Sequence, residues 1–455
     1  MLKLNQFTFI ILSTTLVGCT NIDSSFKEAN QHFQQYEEIT KQYSVKEDWW
    51  TLYRDPQLNK LIEQALENNK NLAKAAINVN KALYSANLLG ANLVPAFSGK
   101  TESSASRNIE HSQNSRITHS GSLNVSYTLD LWRRLADAAS AGEWAYKAST
   151  EDLEATRLAL INSVIATYYQ IAFLNDAIQA TEGSIKYYNQ ISQIMLNRFK
   201  LGVADSASAD QAQQSVLRAR NQLLTYQSQH KIAEQTLRNL LNLKPSDILT
   251  LSLPKILNVK NIGINTNIPV ATIANRPDIK SAQYRLNSAF KDTKAMQKSW
   301  FPTITLGASL SSTGTKVDNA LHTPVAASLV SINLPFLNWN TVRWNVKISE
   351  ANYETARLNY EQTITKALNE IDTNYFTYRQ SQASLNNLQT AYSYNKRITQ
   401  YYKNRYDAGV SQLRDWLNAA NTENDSQIAI LNAKYQLIQQ ENAVYSAMAG
   451  YYSNK

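Results

Sequence analysis

The chain has 455 residues, of which 43% are apolar, and contains 12 glycines and 9 prolines. So few turn-forming residues favour long helices over a domain built from many short elements. The net charge of +9 is spread along the chain without a long basic run, which argues against a nucleic-acid-binding protein.

The N-terminus has the features of a bacterial export signal. Lys3 precedes an apolar run over residues 7–16, and a Leu-Val-Gly-Cys motif ends at Cys19. The run is too short to span a membrane as a helix, so we predict a signal peptide over residues 1–18. The motif resembles a bacterial lipoprotein box, in which Cys19 becomes the lipid-modified first residue; the alternative is a chance cysteine within the signal. Thr20 replaces the aspartate associated with inner-membrane retention, which favours the outer membrane.

The next segments are predicted from polarity and from helix signals. Residues 19–47 are polar, which predicts a lipidated tether or loose wrap. Asp55 before Pro56 is typical of a helix start, and the helix is expected to continue to about Leu93 because no proline interrupts it.

The sequence repeats itself with a constant offset of 207 residues. The landmarks that keep this offset are Leu72 and Ile279, Pro95 and Pro302, and Arg198 and Arg405. We therefore predict a tandem duplication. Its parts are a first repeat over residues 48–250, a linker over 251–274, a second repeat over 275–450 and a tail over 451–455. Each repeat is predicted as a helix, two strands, a very long helix, a turn and another long helix.

Four segments alternate between apolar and polar residues, as β-strands do. They are 97–105, 122–131, 303–311 and 326–334, of which the first is the least regular. Strands are therefore expected at about 96–131 and 302–335. A membrane β-barrel and a soluble antiparallel sheet both alternate in this way. Because four strands cannot close a barrel, the membrane alternative requires several chains, and three chains are the smallest assembly expected to conduct.

Each repeat also contains a very long helix-forming stretch. No proline occurs between about Arg133 and Lys200, or from Asn340 to Tyr406, and apolar residues recur every seven positions. This spacing is typical of helices laid along partner helices. At 1.5 Å per residue, each helix would extend roughly 100 Å, which is several times the width of an ordinary domain.

These features resemble the TolC-type outer-membrane factors, in particular the lipoprotein branch that serves multidrug efflux pumps. The matching motifs are the box ending at Cys19, Trp49-Trp50 with Asp55-Pro56, Leu129-Asp130-Leu131-Trp132, Arg276-Pro277-Asp278-Ile279, Phe301-Pro302 and Leu334-Pro335-Phe336. The resemblance implies a mainly α-helical chain with a membrane β-barrel portion, assembled as a homotrimer with a 12-stranded barrel and a periplasmic α-helical barrel. It also implies a periplasmic adaptor and an inner-membrane pump of the resistance-nodulation-division type. Small toxic compounds or drugs would pass to the exterior unchanged, without a cofactor or bound metal.

The resemblance assigns the adaptor contact to two turns that share an arginine, an aromatic residue, a glycine and a valine. Gly202, Val203, Gly409 and Val410 inherit this role by position. Glycine lets a helix end in a left-handed turn and admits a close approach of another backbone. The alternative is that both turns only reverse the chain.

The family closes this tip with an Asp-x-x-Asp pattern on the last long helix. Asp415 matches the first acid, but Asn418 stands at the position of the second. A ring of Asp415 in a trimer would still attract cations, whereas the missing second acid argues against a cation-binding gate. Arg405, Asp407 and Arg414 are close enough in sequence to supply latch ion pairs; a solvated helix face is the alternative.

A second departure from the family pattern is Arg133, at the predicted junction of a strand and a long helix. The family often has glycine at this point, and the sequence assigns the arginine no role.

Three other functions compete with a drug-efflux channel. An enzyme is disfavoured because the histidines are scattered, no metal, nucleophile or phosphate-loop motif occurs, and carboxylates on long helices are usually solvated. The histidines are His32, His111, His119, His230 and His322. A structural periplasmic lipoprotein would explain Cys19 and the long helices but not the strands. A conduit for type I protein secretion stays open within the channel class.

Overall fold

The structure, a computed structural model, describes residues 22–107, 115–318 and 324–454. Its helices are α1 (Ile22–Thr40), α2 (Pro56–Asn68), α3 (Lys70–Gly90), α4 (Arg134–Lys200), α5 (Ser206–Leu240), α6 (Pro277–Gln297), α7 (Trp339–Asp407) and α8 (Leu413–Met448). Its strands are β1 (Tyr43–Lys46), β2 (Ala96–Ser106), β3 (Arg116–Leu129), β4 (Thr303–Gly314), β5 (Val325–Asn333) and β6 (Tyr451–Asn454). Cys19 and the predicted signal peptide lie outside the described residues, as do His111 and His322.

The chain divides into two compact units, and each unit draws on both sequence repeats. The described residues of the sheet unit fall within Met1–Gln35, Ala76–Asp152 and Asp278–Thr363. The helical unit consists of Tyr36–Ala75, Leu153–Pro277 and Ile364–Lys455. Equivalent segments of the two repeats therefore fall in the same unit, and the repeats are not separate domains.

The sheet unit contains four antiparallel strands in the order β2-β3-β4-β5. The register pairs Leu123 with Leu310 and Val125 with Ala308, so the apolar residues of neighbouring strands share one face. The other face carries mainly serine, threonine and asparagine; Asn124, for example, pairs with Ser309. All four predicted strands are confirmed, including the weakest, which is β2.

The two outer strands of this sheet have open edges. Every residue of β2 and every residue of β5 is exposed, and among the described strands each pairs along one edge only. An open edge leaves a row of backbone donors and acceptors that water can satisfy but lipid cannot. Such an edge is therefore costly in a membrane and prone to pairing with another chain.

The main core of the helical unit surrounds the middle of α4. Val164 and Ile171, which are seven residues apart as the predicted spacing requires, are fully buried there, and Leu174 is nearly so. Trp49 is also fully buried, and its indole N–H donates to the side-chain oxygen of Asn442 over 3.1 Å. One stretch of α4 is apolar enough to cross a membrane, but most of that stretch is buried, as in an ordinary core helix.

Asp55 starts α2, as the sequence predicts. One carboxylate oxygen accepts hydrogen bonds from the backbone N–H groups of Gln57 (3.0 Å) and Leu58 (3.1 Å). The other oxygen accepts from the hydroxyl of Tyr168 over 3.0 Å. The same side chain thus caps a helix and ties it to α4, so the Asp-Pro motif has a structural role.

The structure has two helices, α2 and α3, instead of the single helix predicted from Pro56 to about Leu93. Asn69 separates them with an extended backbone (φ −68°, ψ 121°). Its side-chain oxygen accepts from the N–H groups of Asn71 (2.9 Å) and Leu72 (3.1 Å), which starts α3. An asparagine can interrupt a helix in this way because its side chain competes for backbone groups.

The segment predicted as a loose tether, residues 19–47, contains α1 and β1 over its described part. Within the sheet unit, Phe26 of α1 stacks on Phe290 with ring centroids 3.8 Å apart. The hydroxyl oxygens of Ser25 and Tyr353 lie 2.8 Å apart. In the helical unit, β1 pairs with β6, so the predicted tail also has regular structure. These partners lie far along the chain, where no local pattern reveals them.

Buried polar contacts fix the linker to the helical unit. The Asp176 carboxylate accepts from the N–H of Ile256, and the Glu441 carboxylate accepts from the N–H of Gly263, each over 2.7 Å. Glu441 is fully buried, contrary to the expectation that carboxylates on the long helices are solvated. Burial raises its pKa above the ordinary value, although the N–H groups of Ile262 and Gly263 oppose this shift.

Candidate functional site

The two turns that join the long helices share one backbone geometry. Gly202 and Gly409 have left-handed φ values of 71° and 74°. In the first turn the N–H of Val203 donates to the carbonyl of Arg198, and in the second the N–H of Val410 donates to that of Arg405, both over 2.9 Å. The glycine N–H groups donate to the carbonyls of Phe199 and Tyr406, also over 2.9 Å. This pair of bonds defines the Schellman ending of a helix.

The first turn exposes apolar side chains to solvent. Leu201 is 77% exposed and Val203 is 63% exposed, and Phe199 is exposed beside them. Asp205 ends the turn and accepts a hydrogen bond from the N–H of Ser208 over 2.7 Å, which caps α5. This bond holds the pKa of Asp205 below the ordinary value. A cluster of exposed apolar groups on one turn is typical of a contact surface.

The second turn exposes Val410 to a similar degree, 59%, but carries more polar side chains. Gln412 and Asp415 form a capping box at the start of α8, in which each side chain accepts from the other residue's backbone N–H. Asp415, the predicted gate acid, therefore also has a local structural task. Asn418 lies one turn further along α8 and is exposed.

Two of the predicted latch residues, Arg405 and Asp407, find partners on their own helix or turn within one chain. Arg405 donates to the hydroxyl of Tyr401 and to the carbonyl of Val410, each over 3.1 Å. Asp407 accepts from Lys403 over 2.8 Å. Among the described residues, no ion pair includes Arg405 or Arg414, and the structure therefore does not join the predicted set into a latch within the chain.

The contact that joins the two repeats beside the turns has no signature in the sequence. Arg198 donates to the hydroxyl of Tyr406, and its guanidinium lies 5.3 Å from the centre of the same ring. Tyr406 packs on Trp416 with centroids 5.4 Å apart, and the Trp416 indole N–H donates to the hydroxyl of Tyr187 over 2.9 Å. Arg198 and Arg405 each begin one of the two matching turn motifs. Only the fold reveals that Arg198 contacts the other repeat.

These aromatic contacts lie within a compact apolar cluster formed by the ends of four helices. Its buried members include Met195 from α4, Ala212 from α5, and Leu413 and Leu417 from α8. Tyr402 and Tyr406 of α7 pack against it. The two turns therefore rest on one shared core.

A groove of about 570 Å³ lies beside this cluster in the helical unit. It is lined by Tyr187 of α4, Lys396 and Lys403 of α7, and Glu423 and Asn424 of α8. Partial burial raises the pKa of the Tyr187 hydroxyl, partly opposed by its bond with Trp416. The groove offers charges of both signs next to the exposed turns, and no group of three or more metal-ligating side chains occurs in the described ranges.

Comparison with known proteins now identifies the class to which this fold and site belong. The chain belongs to the outer membrane efflux protein family, whose profile matches residues 61–243 and 268–450. The two matched segments are themselves offset by 207 residues. The resemblance to outer-membrane factors is confirmed, and with it the outer membrane as the location of the protein.

Individual relatives and a solved structure agree with this assignment. The chain is 64% identical over 446 residues to toxin and drug export protein A of Aggregatibacter actinomycetemcomitans, covering 98% of each protein. It is also 64% identical over 453 residues to an uncharacterized protein of Haemophilus influenzae, covering 99% of this chain and 100% of that protein. The crystal structure of the outer membrane protein VceC from Vibrio cholerae matches with a TM-score of 0.81 and 22% identity, over 90% of this chain and 100% of that chain. The similarity to VceC supports the fold of this chain.

Proposed function

We propose that three copies of this chain form the outer-membrane conduit of a tripartite efflux system. The observation that carries the proposal is the four-stranded antiparallel sheet with open edges at β2 and β5. Because β2 and β5 run in opposite directions, β5 of one copy can pair with β2 of the next in the same antiparallel pattern. Closure removes both edges, and three copies provide twelve strands, enough for an aqueous lumen.

The two faces of the sheet support a water-filled passage through lipid. The face with Leu123, Val125 and Leu310 suits contact with acyl chains, whereas the face with Asn124 and Ser309 suits a polar lumen. A conduit of this kind transports its substrate chemically unchanged, so we propose no catalytic role and no cofactor.

The two turns are proposed as the contact for a periplasmic adaptor that connects the conduit to an inner-membrane pump. Gly202 and Gly409 have open space around the position of a Cβ, so a partner backbone can approach closely. Exposed Val203 and Val410 add apolar contact. We further propose that Arg405, Asp407, Arg414, Asp415 and Asn418 control opening through contacts between copies, since within one chain they do not join into a latch.

The proposed cargo is small toxic compounds or drugs, exported by a pump of the resistance-nodulation-division type. One of the two relatives with 64% identity is named for export of both toxins and drugs. This name supports a second candidate, secretion of a protein toxin through the same conduit. Deleting this chain separates the candidates: increased drug susceptibility supports the first, and loss of a secreted protein supports the second.

Crosslinking in intact cells tests the adaptor contact. A photoreactive side chain placed at Val203 is expected to capture a periplasmic adaptor, identified by mass spectrometry. Ile232 on α5 provides a matched control because it is also apolar and 63% exposed. Capture of neighbouring copies alone from Val203, despite efficient labelling, would contradict the docking assignment and favour a structural role for the turns.

A further inference from the structure

Arg133 has a backbone conformation that is unfavourable for an arginine. It lies in the β3–α4 turn (Asp130–Arg133), and its φ is +58°. Residues with a Cβ rarely adopt this left-handed conformation, whereas glycine adopts it readily. Residues held in such conformations concentrate at functional sites, which makes the Arg133 side chain a candidate for one.

The connection does not demand this strain. The second repeat joins β5 to α7 through a short 3-10 turn over Pro335–Asn338, and no residue of that turn has a positive φ. These two strand-to-helix connections thus differ in backbone conformation. The left-handed arginine is therefore a feature of this turn and not of the topology.

The neighbours of Arg133 form an exposed apolar surface. Leu131 is 58% exposed and continues the apolar row of β3 beyond the end of the strand. Trp132 stacks on Phe301 with centroids 4.8 Å apart, and its indole N–H donates to the carbonyl of Pro302 over 3.0 Å. Both rings are themselves partly exposed. This surface is continuous with the apolar face of the sheet.

The arginine is available for an external anion. Its side chain is exposed, and no ion pair formed by the described part of the chain includes it. The nearest acid in sequence, Asp130, is already occupied, because its two oxygens accept from the N–H groups of Leu135 (3.0 Å) and Ala136 (2.8 Å) at the start of α4. An exposed guanidinium beside apolar rings suits a ligand with both an anionic and an apolar part.

The position of the turn identifies that ligand. All four connections between strands and helices lie at the same end of the sheet, and in an outer-membrane efflux channel the helical end faces the periplasm. Aromatic side chains at this level lie in the headgroup region of the bilayer. We propose that the β3–α4 turn binds a glycerophospholipid of the periplasmic leaflet, with the Arg133 guanidinium on the phosphate and Leu131, Trp132 and Phe301 against the upper acyl chain. The proposal rests on the outer-membrane location and is independent of adaptor docking.

Lipid binding to the purified, detergent-solubilised assembly tests this inference. Phosphatidylglycerol is titrated, and bound lipids are counted by native mass spectrometry; diacylglycerol, which lacks the phosphate, is the second probe. Arg133→Gly and Arg133→Gln are expected to weaken phosphatidylglycerol binding about fivefold, whereas Arg133→Lys retains most of it. Binding of diacylglycerol should be unchanged in all variants. Arg134→Gln, which removes the adjacent cation, is the matched control.

The two main variants separate a binding role from a structural one. Arg133→Gly relieves the left-handed strain, so this variant is expected to be at least as heat-stable as the wild type while losing lipid affinity. Arg133→Gln keeps the strain and removes only the charge. Unchanged phosphatidylglycerol affinity in both variants overturns the proposal. Dissociation of the assembly without a change in lipid affinity also overturns it, because Arg133 would then contact a neighbouring copy.

Discussion

The first and second helical turns have the same backbone but present different side chains. Both end a long helix with a left-handed glycine and the same two hydrogen bonds. The first turn exposes Leu201 between Phe199 and Val203, whereas the second has Asp407 and Ala408 before its glycine. Duplication thus retained the geometry and allowed the surfaces to diverge.

The arginines that begin the two turns differ in the same way. Arg198 reaches Tyr406 in the other repeat, whereas Arg405 bonds to Tyr401 and Val410 of its own repeat. Arg198 therefore ties the two turns together, whereas the Arg405 bonds stay within the second turn and its helix. We infer that the apolar first turn contributes more to adaptor contact and that the charged second turn contributes more to opening.

Trp416→Ala is the substitution expected to have the largest effect, because this side chain is almost fully buried in the core shared by both turns. Truncating a buried aromatic residue of this size costs about 3–5 kcal/mol. Hydrogen–deuterium exchange should show faster opening of both turns together. Phe376→Ala, which truncates an exposed ring of α7, should change little. Opening of only one turn would contradict a shared core.

Gly202→Ala and Gly409→Ala should each destabilise their own turn by about 1–2 kcal/mol. A new Cβ would meet no atom within 4 Å at either position, so the cost comes from the left-handed φ alone and should be equal in the two turns. Exchange rates of the turn amides measure this cost. Gly183→Ala is the control with the opposite sign: this glycine lies inside α4 with open space around it, and alanine there should stabilise by about 0.5–1 kcal/mol. Unequal costs at Gly202 and Gly409 would show that the turns are not equivalent.

Arg198→Gln and Arg405→Gln should separate the contact between repeats from the contact within one repeat. Loss of the exposed Arg198 bond to Tyr406 costs about 0.5–1 kcal/mol and should speed exchange in both turns. Loss of the Arg405 bonds should affect only the second turn. Arg220→Gln on the exposed side of α5 provides a control. Identical exchange patterns for Arg198→Gln and Arg405→Gln would contradict the proposed difference between the two turns.

Local patterns in the sequence were sufficient for the repeating parts of this fold. Alternation predicted β3 and β4 because one apolar face needs a residue at every second position. The seven-residue rows predicted α4, and the Gly-Val motifs predicted both turns, because each feature depends on neighbours within a few residues. The turn residues could therefore be found without knowing what packs against them.

The remaining features depend on partners that are distant in sequence. Strand β1 has four residues and gains its structure by pairing with β6 at the other end of the chain. Arg198 and Tyr406 are 208 residues apart, and burial of Glu441 depends on the linker that covers it. The strain at Arg133 is equally invisible, because residue type alone does not report φ. Long-range contacts decide the first three of these cases.

Lowering the pH should destabilise the first turn more than the second. This is the smallest of the four predicted effects. Asp205 caps α5 in the first turn, and its hydrogen bond to Ser208 lowers its pKa. A carboxyl group with a lowered folded-state pKa stabilises the fold above its unfolded pKa of about 3.9, and this contribution is lost as the pH falls through the folded value. In the second turn the amide of Gln412, which does not titrate, takes the corresponding position; Asp415 adds to this capping box only a 3.4 Å hydrogen bond from the N–H of Gln412.

Hydrogen exchange corrected for the intrinsic pH dependence should therefore show fraying of the first turn of α5 below about pH 4. Asp205→Asn keeps an oxygen acceptor for the Ser208 N–H but cannot titrate, so this variant should remove the pH dependence while leaving α8 unchanged. If wild-type α5 shows no acid-induced fraying, the cap does not stabilise the first turn. The difference between the turns would then lie only in their exposed surfaces, and adaptor contact would have to be assigned from those surfaces alone.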